Sequence, residues 1–164
     1  MQLYWHRRTL QPSPNPGLST ALTAAERDDS CVMPVFVLDD AILSQADGLG
    51  VAFMLGSLRK LRDWYRGYGS DLVIQHGDPT DIVGYIARTI GAERVVWNKD
   101  HSRLARQRDR AVQRALTRTG VTYTSVPTEQ ATRTSSSTTL PSDPEAYLAN
   151  PHTLAIGSVE ILRC

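Results

Sequence analysis

The sequence predicts an α/β fold in which five parallel strands form a doubly wound sheet with helices on both of its faces. The main observation is that short, almost unbroken apolar runs alternate with longer stretches of helical periodicity. An unbroken apolar run is typical of a strand that is buried on both sides, as in a parallel sheet. The chain has 164 residues, of which 41% are hydrophobic and 21% charged. This length and composition suffice for one domain with a buried core.

The first half of the chain contains two predicted strands, each followed by a helix. Residues 3–5 form a short strand candidate, and residues 32–38 form a nearly continuous apolar run. Asn15 and Pro16 indicate a helix start, because asparagine caps helices and proline is tolerated at the first helical position. From residue 51 to residue 68, apolar side chains recur at helical spacing, which predicts a long helix with one buried face.

The second half of the chain repeats this alternation. Further strands are predicted by apolar runs at residues 71–76, 95–97 and 121–126, and the first of these is expected to be buried. Asp78 and Pro79 mark the start of one intervening helix. Another helix is predicted over about residues 102–118, with Leu104 and Leu116 on its buried face. Strands and helices in this order favour a Rossmann-like sheet with right-handed crossovers.

The regular pattern ends near residue 126, which sets the predicted domain boundary. Residues 131–139 (ATRTSSSTT) are rich in serine and threonine, and several prolines interrupt the sequence that follows. We therefore predict one domain over residues 1–126 and a Ser/Thr/Pro-rich linker or irregular tail over residues 127–164.

Composition and missing motifs exclude several classes of protein. No apolar run approaches the length of a membrane span, and the N-terminus lacks the apolar core of a secretory signal. We therefore expect a cytoplasmic protein without membrane contact. The four histidines and two cysteines show no metal-ligand spacing, so no metal site is expected. Glycine-rich phosphate loops and a serine nucleophile elbow are also missing, which argues against dehydrogenases, P-loop enzymes and α/β-hydrolases.

Polar residues follow three of the predicted strands, at residues 6–8, 38–40 and 98–101. In open α/β sheets, ligands bind at the carboxyl ends of the strands. These residues could therefore surround a flat, polar and anionic ligand between apolar walls. A structural alternative stays open, in which Arg7 and Arg8 pair with Asp39 or Asp40 and Asp100 only caps the next helix.

Five arginines of the predicted 102–118 helix form one stripe. They are Arg103, Arg106, Arg110, Arg114 and Arg118. Such a stripe suits a nucleic acid or an acidic partner, but it is also typical of an ordinary solvated helix face.

Six segments together resemble the opening of the DNA photolyase and cryptochrome family. They are WHRRTL at 5–10, NPGL at 15–18, PVFVLDD at 34–40, AFML with SLxxLR at 52–62, GSxLVIxxGDP at 69–79 and WNxDH with AxxRD at 97–109. The family patterns that they match include WFRRDLR, FLxxSLxxLR and WNxDYxPxAxxRD. The segments occur in the order and spacing of the family, and the resemblance covers about residues 1–125.

The resemblance implies the N-terminal α/β domain of the family, which holds an antenna chromophore. This chromophore would be 8-hydroxy-5-deazaflavin or methenyltetrahydrofolate. The positions carried over from the family as its binding residues are Arg7, Phe36, Leu38, Asn98, Asp100 and His101. No catalytic residue is carried over, because the family's FAD, lesion pocket and catalysis belong to a helical domain downstream.

The patterns of that helical domain and of its linker are not found in this sequence. We therefore expect a truncated or degenerate member that binds no FAD, does not contact DNA directly and has no repair activity by itself. A separately encoded FAD-binding domain is a possible partner. Family residues are also replaced at Thr9, Gln11, Gly50 and His101, and Gly50 stands where an arginine normally opens the second helix. Two alternatives to the antenna function are a nucleotide-binding signalling module and an interaction domain without a ligand.

Overall fold

The computed structural model describes residues 1–128, so the predicted tail from residue 129 onward lies outside the described residues. The sheet has five strands: β1 Gln2–His6, β2 Val32–Leu38, β3 Val73–His76, β4 Arg94–Lys99 and β5 Thr122–Pro127. Their order is β3-β2-β1-β4-β5, and all neighbouring strands run parallel. The chain builds outward from β1 in one direction and then in the other. This doubly wound arrangement confirms the predicted fold class.

Five helices connect the strands: α1 Pro16–Arg27, α2 Asp40–Leu43, α3 Gly48–Gly67, α4 Pro79–Thr89 and α5 Arg103–Arg118. The predicted caps of α1 and α4 are confirmed, since Asn15 and Asp78 accept hydrogen bonds from backbone N–H groups of the first turns. The cap of α5 is Ser102 and not Asp100. Asp100 instead accepts a hydrogen bond from the Ser102 backbone N–H at 3.0 Å. The short helix α2 is not foreseen in the sequence pattern.

One face of the sheet carries the apolar core. Leu3 and Trp5 of β1 lie there with side chains of β2 and β4, and they pack against α4 and α5. The rings of Trp5 and Trp97, which are register partners, lie 5.8 Å apart between centroids. Since both tryptophans are almost fully buried, they contribute strongly to the core that holds α5 against the sheet.

The opposite face carries a buried polar network beneath α1. The Asn98 amide donates hydrogen bonds to Asn15 Oδ1 at 2.8 Å and to the Tyr4 hydroxyl at 3.0 Å. Its Oδ1 accepts one from the Gly17 backbone N–H at 2.8 Å. Tyr4 also donates to Asn15 Oδ1 at 2.7 Å. The network therefore joins β4, β1 and the start of α1, and leaves few of its buried polar atoms unpaired.

His6 continues this polar face toward α3. Its Nδ1 lies 3.1 Å from the Thr9 carbonyl oxygen and its Nε2 lies 2.7 Å from the Tyr65 hydroxyl. Because a carbonyl can only accept, Nδ1 carries the proton and Nε2 accepts from Tyr65. Burial lowers the pKa of His6 to about 4, although the Thr9 carbonyl opposes the shift. His6 is therefore a neutral imidazole at physiological pH.

Three sequence predictions on burial are wrong. β3 is predicted as a buried strand, but it lies at the edge of the sheet, where Gln75 and His76 are exposed. The predicted buried face of the long helix is buried only in its second half. Leu58, Leu61 and Tyr65 are buried, whereas residues 48–57 are all exposed or half-buried, so we infer that the first half of α3 overhangs the sheet. Leu104, in the first turn of α5, is exposed as well.

No helix within residues 1–128 combines the length and the apolar character that crossing a bilayer requires. The same residues hold no group of three or more His, Cys, Asp or Glu side chains placed to bind a metal ion.

Replacement of Gly17 by alanine should destabilise the protein by about 1–3 kcal/mol. A Cβ at this position would lie 2.6 Å from Asn98 Oδ1 and 3.0 Å from Tyr4 Cε2. The polar network would therefore have to open. Urea denaturation followed by circular dichroism measures the free energy of unfolding. Gly84→Ala is the matched control, because a Cβ there meets nothing within 4 Å. It should be neutral or stabilise α4 by about 0.5–1 kcal/mol, and equal effects of the two changes would contradict the assigned packing.

Stability should fall as the pH drops from about 6.5 toward 4. The folded state keeps His6 neutral while the unfolded chain binds a proton there, so protonation favours unfolding, by about 3 kcal/mol at the lower end. Denaturation across this range should show the slope in the wild type and in His101→Gln, since His101 is exposed. His6→Gln should be less stable but without the slope. Arg62 lowers the pKa of Asp71, so that carboxylate acts only below this range. A slope that survives in His6→Gln would assign the titration to other groups.

Candidate functional site

A cleft of about 460 Å³ opens at the carboxyl ends of β1 and β2, where the sheet, the overhanging half of α3 and the beginning of α5 meet. Its lining residues come from five elements and the loop after β1: Trp5, His6, Arg7, Arg8, Leu10, Phe36, Val37, Ile42, Gly50, Phe53, Met54 and Arg108. The volume is within the range of small-molecule sites in proteins, and most of the lining is apolar.

Aromatic and aliphatic side chains form the walls of the cleft. Phe36 is held in β2 as the register partner of His6 and is buried. Phe53 and Met54 project from α3, and Ile42 projects from α2. Phe53 is 78% exposed, because its half of the helix extends past the sheet. This side of the cleft therefore offers apolar surface that gains by covering a flat ligand.

Arg7 supplies a buried positive charge at the base of the cleft. Its Nη1 pairs with Asp109 at 2.7 Å and donates to the Asn98 carbonyl oxygen at 3.4 Å. Its guanidinium lies 5.1 Å from the centre of the Trp5 ring, which favours the cation. Burial lowers the pKa of Arg7, and the neighbouring Asp109 carboxylate opposes that shift. Arg7 Nε and Nη2 are buried without a hydrogen-bond partner among the described residues.

Two more ion pairs frame the cleft. Arg108 pairs with Asp39 at 2.9 Å, and its guanidinium lies 5.6 Å from the Trp5 ring. Arg8, whose side chain is largely exposed, lies 3.7 Å from Asp100. Partial burial raises the pKa of Asp100, but the hydrogen bond from Ser102 and the charges of the nearby arginines lower it overall.

This pairing corrects the structural alternative drawn from the sequence, in which Arg7 and Arg8 pair with Asp39 or Asp40. Arg7 instead pairs with Asp109, and Asp39 pairs with Arg108. Both partners come from α5, which places its own charged residues at the ends of β1 and β2. Asp40 instead binds His76 Nε2 at 2.6 Å.

Of the six residues carried over from the resemblance, Arg7 and Phe36 line the cleft. The Asn98 side chain is directed into the network beneath α1, and only its carbonyl oxygen reaches Arg7. Asp100 and His101 lie in the loop before α5, where His101 is exposed. Leu38 is half-buried at the end of β2. These last four residues are not among those that line the cleft.

Several cleft residues are missing from the sequence-based set. Phe53 is missing because it falls outside the apolar stripe of α3. Ile42 is missing because it belongs to α2, a helix that the sequence does not predict. Arg108 lies off the arginine stripe of α5 and belongs to the AxxRD segment at 105–109, and these two signals could have identified it. Met54 falls on the apolar stripe of α3, which predicts a place in the core.

The arrangement is suited to binding rather than to acid–base chemistry. His6 is the one imidazole among the lining residues, and both of its nitrogens are engaged by Thr9 and Tyr65. The guanidinium of Arg7 stays charged and supplies hydrogen-bond donors. The cleft can therefore hold a flat molecule that carries acceptor atoms on one edge.

Comparison with known proteins gives a consistent result. The family model for DNA photolyase matches residues 2–146, which extends beyond the resemblance seen in the sequence motifs. A deoxyribodipyrimidine photo-lyase of Halobacterium salinarum is 45% identical over 128 residues, which cover 75% of this chain and 27% of that protein.

Solved structures share the fold. An archaeal photolyase from Sulfolobus tokodaii matches with a TM-score of 0.69 and 24% identity. Its crystal structure holds two FAD molecules, which implied a novel light-harvesting cofactor in that protein. The match covers 77% of this chain and 29% of that one. A bacterial class III photolyase from Agrobacterium tumefaciens matches with a TM-score of 0.66 and 27% identity, over 77% of this chain and 25% of that one.

The chain spans less than a third of the length of each of these relatives. The part that it matches is the N-terminal sheet domain, with the strand order and helices described above. On this sequence and structural agreement, the chain belongs to the DNA photolyase family and corresponds to its N-terminal, Rossmann-like α/β domain.

Proposed function

We propose that the domain binds a flat, aromatic, light-absorbing chromophore in the cleft and acts as the antenna of a photolyase or cryptochrome. Arg7 is the observation that carries the proposal. Its side chain is only 3% exposed, and two of its nitrogens lack a hydrogen-bond partner among the described residues. A buried donor without a partner is costly, so a ligand that brings carbonyl or phenolate oxygens to this edge would be favoured.

The walls of the cleft fit the ring of such a ligand. Phe36 and Phe53 offer aromatic surface for stacking, and Met54 adapts to irregular shapes. An 8-hydroxy-5-deazaflavin and a methenyltetrahydrofolate both combine a flat ring system with carbonyl oxygens, so either one matches an apolar slot with a cationic edge. When bound, the chromophore supplies light absorption and transfer of the excitation energy, while Arg7 and the aromatic walls hold and orient it.

One relative supports a light-harvesting role among photolyases that share this fold. The Sulfolobus tokodaii photolyase, with its two FAD molecules, is described in terms of a light-harvesting cofactor. We propose that the energy captured by the domain is passed to an FAD-binding helical region. That region would be the macromolecular partner of the domain, in the cytoplasm. Cleavage of pyrimidine dimers in DNA would depend on that region, because the one imidazole that lines the cleft is engaged by Thr9 and Tyr65.

Phe53→Ser should weaken chromophore binding about tenfold, because it removes apolar surface that covers the ligand. The full chain would be titrated with 8-hydroxy-5-deazaflavin and with methenyltetrahydrofolate, and binding followed by chromophore fluorescence. Leu55→Ser is the matched control, since Leu55 lies on the same helix, is 49% exposed and does not line the cleft. The control should bind like the wild type, and both variants should keep the wild-type circular dichroism spectrum.

Parallel titrations with FAD and ATP distinguish the proposal from its alternatives. Saturable binding of a deazaflavin or folate that is weakened by Phe53→Ser supports the antenna function. Binding of ATP alone would favour the nucleotide-binding signalling module, and binding of none of the four compounds would favour a ligand-free interaction domain. Preference for FAD would contradict the expectation that this chain does not hold that flavin.

Gly50→Arg should tighten the binding of an anionic chromophore by roughly two- to fivefold. Gly50 lines the cleft and is exposed, and the nearest atom to an added Cβ is Asp47 Oδ1 at 3.0 Å. The Gly50 backbone N–H donates to Asp47 Oδ1 at 2.6 Å, and both position-50 variants keep this N–H, so a small shift of the carboxylate should preserve the start of α3. Gly50→Gln has a similar size without the charge. An equal gain in the glutamine variant would rule out the electrostatic explanation.

A further inference from the structure

The arginine stripe of α5 forms a cationic surface that is separate from the cleft. All five arginines of the stripe are exposed, and none of them has an ion-pair partner among the described residues. At 100° per residue they fall within an arc of roughly 120°. Arg108, which belongs to the cleft, lies outside this arc. The single carboxylate of α5, Asp109, is buried against Arg7 and does not neutralise the stripe.

A groove runs beside the second half of the stripe, between α5, the start of α4 and the outer strand β5. It has a volume of about 710 Å³. Arg110, Arg114 and Arg118 line it together with Gln113 and Thr117, and no acidic residue lines it. The groove therefore combines three cations with neutral hydrogen-bonding groups.

Tyr123 adds an aromatic platform to this groove. It lies on β5, is 41% exposed, and also lines the groove. Its ring stacks on buried Trp97 with the centroids 5.8 Å apart and an angle of 29° between the planes. Because Trp97 is fixed in the core, the Tyr123 ring is held in one orientation with part of its surface in solvent.

We propose that this groove binds single-stranded nucleic acid, with the arginines on successive phosphates and a base on Tyr123. Arginines four residues apart rise about 6 Å along the helix, which gives a row of guanidiniums for the repeating charges of a sugar–phosphate chain. Cationic grooves with aromatic platforms are the usual means of binding single strands without sequence preference. An acidic polypeptide would use the arginines but would gain less from a flat, fixed ring. The proposal departs from the expectation that the chain does not contact DNA directly, and it does not depend on the chromophore.

The test is fluorescence anisotropy of the full chain with labelled single-stranded DNA and RNA of mixed sequence, measured over a range of salt concentrations. Arg110→Glu/Arg114→Glu should weaken binding at least tenfold at low salt and should reduce the salt dependence. Arg59→Glu/Lys60→Glu is the matched control, since it makes the same charge change on exposed residues of α3. The control should change affinity less than about threefold.

Tyr123→Leu tests the platform separately from the charges. It should weaken binding about fivefold or more, and the loss should persist at high salt because stacking is not screened. Circular dichroism checks that each variant is folded. Equal losses in the two double variants would overturn the proposal, as would binding of poly-glutamate that matches the nucleic acids in affinity. A preference for DNA or for RNA would identify which strand the groove takes.

Discussion

The buried ion pair between Arg7 and Asp109 is the interaction on which the site depends. Arg7 directly follows the central strand β1, and its charge would be costly at this depth without a partner. Asp109 comes from α5, so the pair ties the carboxyl end of the sheet to the helix that packs over it. Trp97 Nε1 also donates to Asp109 at 3.4 Å, and the Trp5 ring faces Arg7. The Arg7–Asp109 pair therefore determines both the position of α5 and the polarity of the cleft.

The same pair explains why α5 presents two different surfaces. Its one carboxylate is turned inward, which leaves the exposed arginines without a counter-charge on their own helix. Arginines at i and i+4 repel each other, and Arg103 in the first turn opposes the helix dipole. The packing of Val112 and Leu116 in the core offsets these unfavourable terms. A helix that is held by its buried face can thus keep a cationic outer face that would not stabilise it alone.

Local sequence signals were sufficient for most of the fold. Asn15–Pro16 and Asp78–Pro79 start helices through interactions within one turn, and apolar runs identify the strands because both faces of a parallel sheet are covered. Side-chain partners were harder to predict, since they depend on how α5 crosses the sheet. Asp109 and Arg108 are distant in sequence from Arg7 and Asp39, and nothing local signals that they meet. The resemblance predicts that Asn98 contacts a ligand, and the hydrogen bonds by which its side chain holds the start of α1 carry no signal in the local sequence.

The overhang of α3 links these points to function. A helix that ended at the sheet edge would bury its whole apolar face and would leave no wall beside Arg7. The first half of α3 extends past the sheet, so Phe53 is exposed and Met54 is half-buried beside the buried guanidinium of Arg7. Exposed apolar surface of this kind is unfavourable unless something covers it. The departure from ideal burial and the unpaired donors of Arg7 occur in the same cleft, and a flat ligand with acceptor atoms on one edge would relieve both.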